Sequence, residues 1–156
     1  MAFEPLDTME GQDFPLCRQI SVFLENRLGQ LLRLTRLFER DEVQILGISV
    51  DNAVDCAITR FIVNDPDVAS EMIRDAGFAC SENEILVVEL PESNRGIMTV
   101  CIALLTGEIN VNYTYPLLPG RDRGACLAIQ VDDLARAAEV LHGKGFRIID
   151  QTELSF

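Results

Sequence analysis

Short apolar segments with two different periods alternate along this chain. Residues 44–51 place Leu46, Ile48 and Val50 at every second position, which is the period of a strand with one buried face. Residues 31–40 instead repeat their apolar positions at intervals of three or four, which is typical of an amphipathic helix. The pattern therefore predicts strands and helices in alternation rather than an all-helical or all-strand chain.

The predicted elements follow the order β-α-β-β-α-β twice. The predicted strands are residues 20–24, 44–51, 56–63, 78–81, 85–90, 111–118, 125–131 and 146–150. The predicted helices are residues 31–40, 66–76, 97–105 and 133–142. Asp65 and Pro66 indicate a capped helix start, and Gly77 indicates its end.

The second half of the chain repeats the first. The offset that carries Gly77 onto Gly145 also carries Val63 onto Val131, with no gap between them. The same offset carries Ala69 onto Ala137, Glu71 onto Glu139 and Phe78 onto Phe146. A shared offset of this kind indicates a duplicated domain.

A β-α-β-β-α-β unit predicts the ferredoxin-like arrangement, and hence an α+β fold. We expect two tandem ferredoxin-like domains at residues 18–83 and 84–156, after an N-terminal extension at residues 1–17. Right-handed crossovers put both helices on one face of each antiparallel sheet. Strands such as residues 56–63 are apolar on both faces, so we expect the helix-free face to be at least partly covered, by a second chain or by the tail.

Each repeat has a glycine where its first strand turns into its first helix. The first corner is FLENRLG, residues 23–29, and the second is LPESNRG, residues 90–96. Glycine lets backbone or ligand approach closely, and the first amides of a helix carry partial positive charge. Amides following Gly29 or Gly96 would suit a carboxylate, and we expect the two corners to face a shared crevice. The alternative is that these residues only make turns.

Composition and charge narrow the classes of function. The chain has 156 residues, 48% of them hydrophobic, and a net charge of −12. This charge repels phosphates, so nucleic-acid binding is disfavoured. The apolar runs are too short for a membrane span, and the N-terminus does not resemble a secretory signal. We therefore expect a cytoplasmic protein.

Candidate catalytic and metal-ligating residues are sparse. The five cysteines form no CxxC pair, and Cys56, Cys101 and Cys126 lie in apolar runs where buried thiols are expected. His142 is the one histidine and is expected near a helix end. Asp133 is expected to cap a helix. Tyr113 and Tyr115 predict cross-strand packing, with Tyr113 left open as the floor of a ligand pocket. We expect no cofactor, no metal and no catalytic residue.

The chain resembles a tandem ACT-domain protein over residues 20–150. The resemblance rests on the doubled element order, on ENRLG at residues 25–29, on SNRG at residues 93–96 and on EINV at residues 108–111. The ACT family implies a regulatory module that binds an amino acid between two domains. The layout also resembles stand-alone regulatory subunits, which implies a homodimer and a partner enzyme of amino-acid metabolism.

The resemblance also implies a ligand site. In the family, the first strand–helix loop of one domain meets the start of the second strand of a neighbouring domain. Carried over by position, the ligand-binding candidates are Asn26, Leu28, Gly29, Gln30, Gln44, Ile45, Leu46, Ser93, Asn94, Gly96, Ile97, Asn110 and Asn112. Gln44 and Ser93 depart from the family's asparagines, so the two corners need not be equivalent, and a mixed site such as Asn26 with Asn110 stays open.

Three functions remain open from the sequence alone. The first is an amino-acid-sensing regulatory protein that acts on a partner enzyme. The second is a structural protein–protein interaction module without ligand. The third is a small enzyme on the same fold, for which the sequence offers no recognisable constellation of catalytic residues.

Overall fold

The fold comes from a computed structural model, which describes residues 14–39, 42–120 and 123–154. The strands are β1 Cys17–Glu25, β2 Ile45–Asn52, β3 Cys56–Val63, β4 Ala79–Glu89, β5 Val111–Pro116 and β6 Cys126–Val131. The helices are α1 Gln30–Thr35, α2 Pro66–Asp75, α3 Gly96–Thr106, α4 Leu134–Gly143 and α5 Gln151–Leu154. Residues 1–13 of the extension expected at residues 1–17, and residues 121–122, lie outside the described residues.

A single long strand joins the two repeats. β4 pairs with β1 along its first half and with β6 along its second half, so the sheet order is β2-β3-β1-β4-β6-β5. The prediction of two separate strands at residues 78–81 and 85–90 was wrong, because the backbone continues through residues 82–84 in register with β1. The expected domain boundary after residue 83 falls inside this shared strand.

The helix-free faces of the two repeats pack against each other. An antiparallel bridge joins Gly47 to Leu117, and the amide of Leu118 donates to the carbonyl of Leu46 at 2.6 Å. Cys17, Leu46 and Ile62 of the first repeat share one buried cluster with side chains of the second. The members from the second half of the chain are Ile85, Val87, Tyr115, Leu117, Cys126, Ala128, Ile149 and Leu154.

This cluster corrects the expectation that a second chain or the tail covers the helix-free face. The other repeat of the same chain covers it, because each sheet has an apolar inner face that water would otherwise contact. The cover is incomplete: Phe23 remains 45% exposed where β1 nears its end. Two further clusters lie under the helices, one in each repeat.

Two local predictions needed correction. The helix expected at residues 31–40 ends at Thr35 and continues only as the 3-10 turn Arg36–Phe38, and residue 40 lies outside the described residues. The strand expected at residues 146–150 forms only a bridge, between Ile148 and Val88. That segment lies beside β4 in line with β1, as the Cys17 thiol, 3.3 Å from the carbonyl of Ile149, indicates.

The helix end predicted at Gly77 is confirmed, and the matching Gly145 has the same backbone conformation. Gly77 and Gly145 both have positive φ, of 88° and 86°, just after α2 and α4. Only glycine adopts this left-handed conformation at low cost. Across the described residues, the longest helices fall short of the length and apolarity that a bilayer crossing requires.

Candidate functional site

The first corner is an open, exposed turn. Asn26, Leu28 and Gly29 are all exposed, and Leu28 makes almost no contact with the rest of the chain. Gly29 has a φ of 85° and has no neighbour within 4 Å of the place where a Cβ would lie. Glycine is therefore needed here for its backbone conformation and not to make room for a neighbour. Gln30 begins α1 directly after it.

The second corner is tighter. Gly96 is buried, and a Cβ on it would lie 2.9 Å from the carbonyl oxygen of Pro91. The hydroxyl of Ser93 accepts a hydrogen bond from the amide of Arg95 at 3.2 Å, which closes the turn locally. Asn94 and Ile97 remain exposed on either side of Gly96. Glycine is needed here because the chain folds back against its own backbone.

The first helix of each repeat begins without a side-chain cap. No side chain accepts a hydrogen bond from the first turn of α1 or of α3 among the described residues. The second helices differ, since Asp65 accepts from the amide of Val68 at 3.2 Å and Asp133 from that of Arg136 at 3.0 Å. The capping role expected for Asp133 is confirmed. The first amides, those of Gln30 and Gly96, donate to the carbonyls of Arg27 and Ser93, each at 3.3 Å. Among the described residues, the next amides of each helix are left to solvent or to an acceptor from another molecule.

The starts of the second strands lie elsewhere. In the first repeat, Gln44 donates its amide to the side chain of Asn64 at 2.7 Å, while Leu46 is buried between the sheets. In the second repeat, Asn110 and Asn112 are exposed, with their side chains 3.4 Å apart. The candidate residues of the first repeat are thus partly used in packing, whereas those of the second face outward.

Within each repeat, the corner after the first strand does not meet the start of the second strand. β1 and β2 both pair antiparallel with β3, so they run parallel to each other. The end of β1 therefore lies at the opposite end of the sheet from the start of β2, and the same holds for β4 and β5 beside β6. An eight-residue strand such as β3 spans roughly 25 Å. Neither repeat alone can close a small-molecule site from these residues.

The two corners also lie far apart. Phe23, just before the first corner, pairs with Ala79 at the start of β4, while the second corner follows the end of β4 at Glu89. Eleven residues of strand separate the corners by roughly 35 Å along β4. The expectation of one crevice shared by the two corners of a chain is therefore wrong, because both lie at opposite ends of the same strand. The sequence left open a mixed site of Asn26 and Asn110. Among the described residues, no hydrogen bond joins these two.

A buried polar cluster lies between the sheets, and the sequence patterns did not predict it. The side chain of Gln19 is fully buried and accepts a hydrogen bond from the hydroxyl of Tyr115 at 2.6 Å. Its amide nitrogen donates to Tyr113 at 2.8 Å and to Asn83 at 3.1 Å. The Arg60 guanidinium lies over the Tyr113 ring, 4.1 Å from its centroid. Tyr113 is thus engaged between the repeats, and does not form the floor of an open pocket.

Burial changes the chemistry of two groups in this inter-sheet region. Desolvation raises the pKa of the Cys17 thiol to about 12. It also raises the pKa of Tyr115 above its ordinary value, mainly because the phenolate would be formed away from water. Both groups therefore stay protonated near neutral pH. Two polar residues at alternating positions of an otherwise apolar strand, Gln19 and Ser21, were the available sequence signal for a polar cluster.

The cysteines and possible metal ligands offer little chemistry. All five cysteines are free thiols. Cys126 is buried as expected, but Cys56 is only partly buried and Cys101 is exposed on α3, so the prediction of buried thiols was wrong at these two positions. No group of three His, Cys, Asp or Glu side chains within the described ranges could hold a metal ion.

Two shallow grooves lie on the second repeat, away from the candidate residues. One, of about 420 Å³, lies where the ring of Phe14 approaches that of His142, with centroids 5.6 Å apart. The other, of about 440 Å³, lies between the end of α3 and α4, beside Arg136 and Lys144. His142 lies in the last turn of α4, as expected.

Comparison with known proteins gives a family match and several similar folds. Residues 16–156 match a family model described as an ACT domain pair. No curated protein sequence matches the chain. A protein from Bacteroides thetaiotaomicron has a similar crystal structure, with a TM-score of 0.79, 24% identity, and coverage of 89% of this chain and 95% of that one.

Two enzyme subunits also have similar structures. The regulatory subunit of aspartate kinase from Thermus thermophilus, in its ligand-free form, has a TM-score of 0.56 at 10% identity, covering 83% of this chain and 93% of that one. The corresponding subunit from Thermus flavus has a TM-score of 0.50 at 10% identity, covering 82% and 92%. At these identities the likeness shows the fold, and it confirms the predicted pair of ferredoxin-like units. The predicted resemblance is confirmed by the family match.

Proposed function

Because the chain belongs to the ACT domain pair family, we propose that it is a regulatory protein that binds an amino acid and acts on a partner enzyme. ACT domains are regulatory domains, and two of the similar structures are regulatory subunits of an enzyme. In this proposal, the two domains are residues 18–83 and 84–156. The protein works in the cytoplasm as a homodimer, and catalysis belongs to the partner.

The observation that carries the proposal is the uncapped start of α1 and α3. Both second helices have an aspartate cap, so the chain can cap a helix where it needs to. Both first helices leave their amides free of side-chain acceptors among the described residues. Free amides at a helix start bind carboxylates well, and a neighbouring asparagine can both donate to and accept from a zwitterion.

The geometry also indicates why a homodimer belongs to the proposal. Each corner lies at the far end of the sheet from the second-strand start of its own repeat. A site that joins a corner to a strand start therefore needs a second domain, and in this proposal a second chain supplies it. The exposed candidates Asn94 and Asn110 are free to contribute to such a site, whereas Leu46 is not.

A thermal-shift screen of the full chain with each proteinogenic amino acid tests the proposal. A ligand that binds only the folded state stabilises it by about 2.7 kcal/mol at 100 times its dissociation constant. We expect one amino acid, or a few related ones, to raise the unfolding temperature. The absence of a shift with any amino acid would favour the interaction module without ligand instead.

Single-residue variants then identify the corner that binds. Asn26→Ala tests the first corner, Asn94→Ala the second, and Asn110→Ala the strand start; all three side chains are exposed, so the fold should tolerate them. Asn52→Ala, also exposed but outside the candidate set and two strands away from β1, is the matched control. Gly96→Val is less suitable as a binding test, since its side chain would collide with the Pro91 carbonyl and disturb the corner itself.

A further inference from the structure

The outer face of α3 is apolar and has no cover. On its inner side, Val100, Ala103 and Leu104 are buried in the helix-side core of the second repeat. On its outer side, seven residues are exposed: two are Thr99 and Thr106, whose hydroxyls donate to backbone carbonyls one turn earlier, and five are hydrophobic. The five are Ile97, Met98, Cys101, Ile102 and Leu105. A helix that is apolar all round is normally a buried helix.

No other described helix has this character. α3 contains no charged residue over its eleven positions, whereas α1 contains Arg33 and the remaining helices each carry at least one acidic side chain. Arg33 also reaches across to the carbonyl of Ala76 and lies over the ring of Phe78, which covers part of the first repeat's surface. The uncharged face of α3 is thus specific to the second repeat.

The charges that border this face complement each other. Arg95 precedes α3 and Glu108 follows it, both exposed and neither in a salt bridge among the described residues. In two antiparallel copies of α3, Arg95 of each lies at the end where Glu108 of the other lies. The helix dipoles then also run in opposite directions, which is favourable. An eleven-residue helix is about 16 Å long, so both charge pairs form at the rim of one contact.

We propose that the face of α3 is the dimer interface of this protein, packed antiparallel against α3 of a second copy about a two-fold axis. The inference deepens the proposed function, since it rests on the homodimer named there. A second copy fits best because α3 itself carries no charge, so two chains with a net charge of −12 each can meet along this helix without opposing like charges on it. Such an axis makes the contact self-complementary.

Other occupants fit the face less well. A membrane surface is usually bound by helices with lysine and arginine on the polar side, and α3 has none. An acidic or basic protein partner would find no charge to match on the helix itself. These alternatives are separable, because only a second copy makes the isolated protein dimeric.

Sedimentation velocity of the full chain at micromolar concentration tests the interface. The wild type should be a dimer. Ile102→Glu, at a position 54% exposed in the single chain, should raise the dimer dissociation constant at least about thirtyfold, because one charge from each copy is buried in the contact. Leu32→Glu on α1, at a position 55% exposed, is the matched control and should leave the dimer intact.

Two outcomes would overturn the interface. One is a monomeric wild type, and the other is a dimer that survives Ile102→Glu with unchanged affinity. Circular dichroism should show both variants folded, since each replaces an exposed side chain. If Ile102→Glu does not fold, Leu105→Glu, at a position 76% exposed, carries the same test.

A charge swap tests the antiparallel arrangement. Arg95→Glu alone should weaken the dimer by severalfold, because it places two acids at each rim contact. The double variant Arg95→Glu, Glu108→Arg should restore wild-type affinity. A double variant no better than the single one would exclude this orientation. The shift in unfolding temperature with an amino acid is a separate test. A dimeric protein that shows no such shift contradicts the proposed sensor function but not the proposed interface.

Discussion

Gly29 and Gly96 stand at matching places in the two repeats, yet the backbone needs glycine at each for a different reason. At Gly29 a φ of 85° excludes most side chains, although the space around it is empty. At Gly96 the backbone is ordinary, but the Pro91 carbonyl leaves no room for a Cβ. A repeated residue in a duplicated chain therefore does not imply a repeated physical cause.

The helices that follow these corners also differ, in length and in charge. α1 has six residues and carries Arg33, whereas α3 has eleven and carries no charge. The first repeat uses its second-strand start, through Leu46, to pack against the other repeat, while Asn110 and Asn112 of the second repeat remain exposed. The second-strand start of the second repeat thus remains available to another molecule, whereas that of the first repeat is partly buried.

The largest expected effect is on the free energy of unfolding, and it distinguishes Gly96 from Gly29. Gly96→Val should lower the free energy of unfolding by about 2–3 kcal/mol, because the added carbons collide with backbone that cannot move aside. Gly29→Ala should lower it by about 1–2 kcal/mol, from left-handed strain alone. Urea unfolding monitored by circular dichroism measures both changes.

Asparagine sharpens this test, because it tolerates the left-handed conformation better than alanine does. Gly29→Asn should regain part of the stability lost in Gly29→Ala, while Gly96→Asn should regain none. Gly143→Ala, at the last position of α4 with open space around it, is the control and should be neutral or stabilising. Equal behaviour of asparagine at both corners would contradict the distinction.

A smaller effect, on the pH dependence of stability, compares a buried cysteine with an exposed one. Burial raises the pKa of the Cys17 thiol from 9.0 to about 12, whereas Cys101 is exposed on α3. Above pH 9 the unfolded chain loses the Cys17 proton and the folded chain keeps it, so the unfolded state binds fewer protons. Stability is therefore complete below pH 9 and falls by up to about 1.4 kcal/mol per pH unit as pH rises toward 12.

Unfolding titrations on both sides of pH 9 measure this slope. Cys17→Ala should make the alkaline decline shallower, although it also removes some packing. Cys101→Ala should leave the slope as in the wild type. If both variants keep the wild-type slope, the thiol of Cys17 is not the group responsible.

The smallest expected effect on stability concerns the second helix of each repeat, where both repeats have an aspartate cap. Asp65→Ala and Asp133→Ala each remove a side-chain acceptor at a helix start, and each should cost about 1 kcal/mol. Glu71→Ala, at an exposed position within α2, is the control and should change the stability by much less. A large difference between the two cap variants would show that even these matched positions are not equivalent.

The sequence was sufficient wherever a structure depends on residues close together in the chain. The periods of two and of three to four located the strands and helices, and Asp65–Pro66 and Asp133 located two helix starts. Gly77 located a helix end that the backbone confirms with a positive φ, and Gly145 matches it in the second repeat. The doubled order of elements followed from these local signals and from the common offset.

What only the tertiary structure decided depends on contacts between distant residues. The fusion of two predicted strands into β4 follows from its pairing with β1 and β6, and the hydrogen bond from Tyr115 to Gln19 joins residues 96 positions apart. Local periodicity cannot specify which apolar face meets which. It therefore predicted that the helix-free faces are covered, but the packing of one repeat against the other decided what covers them.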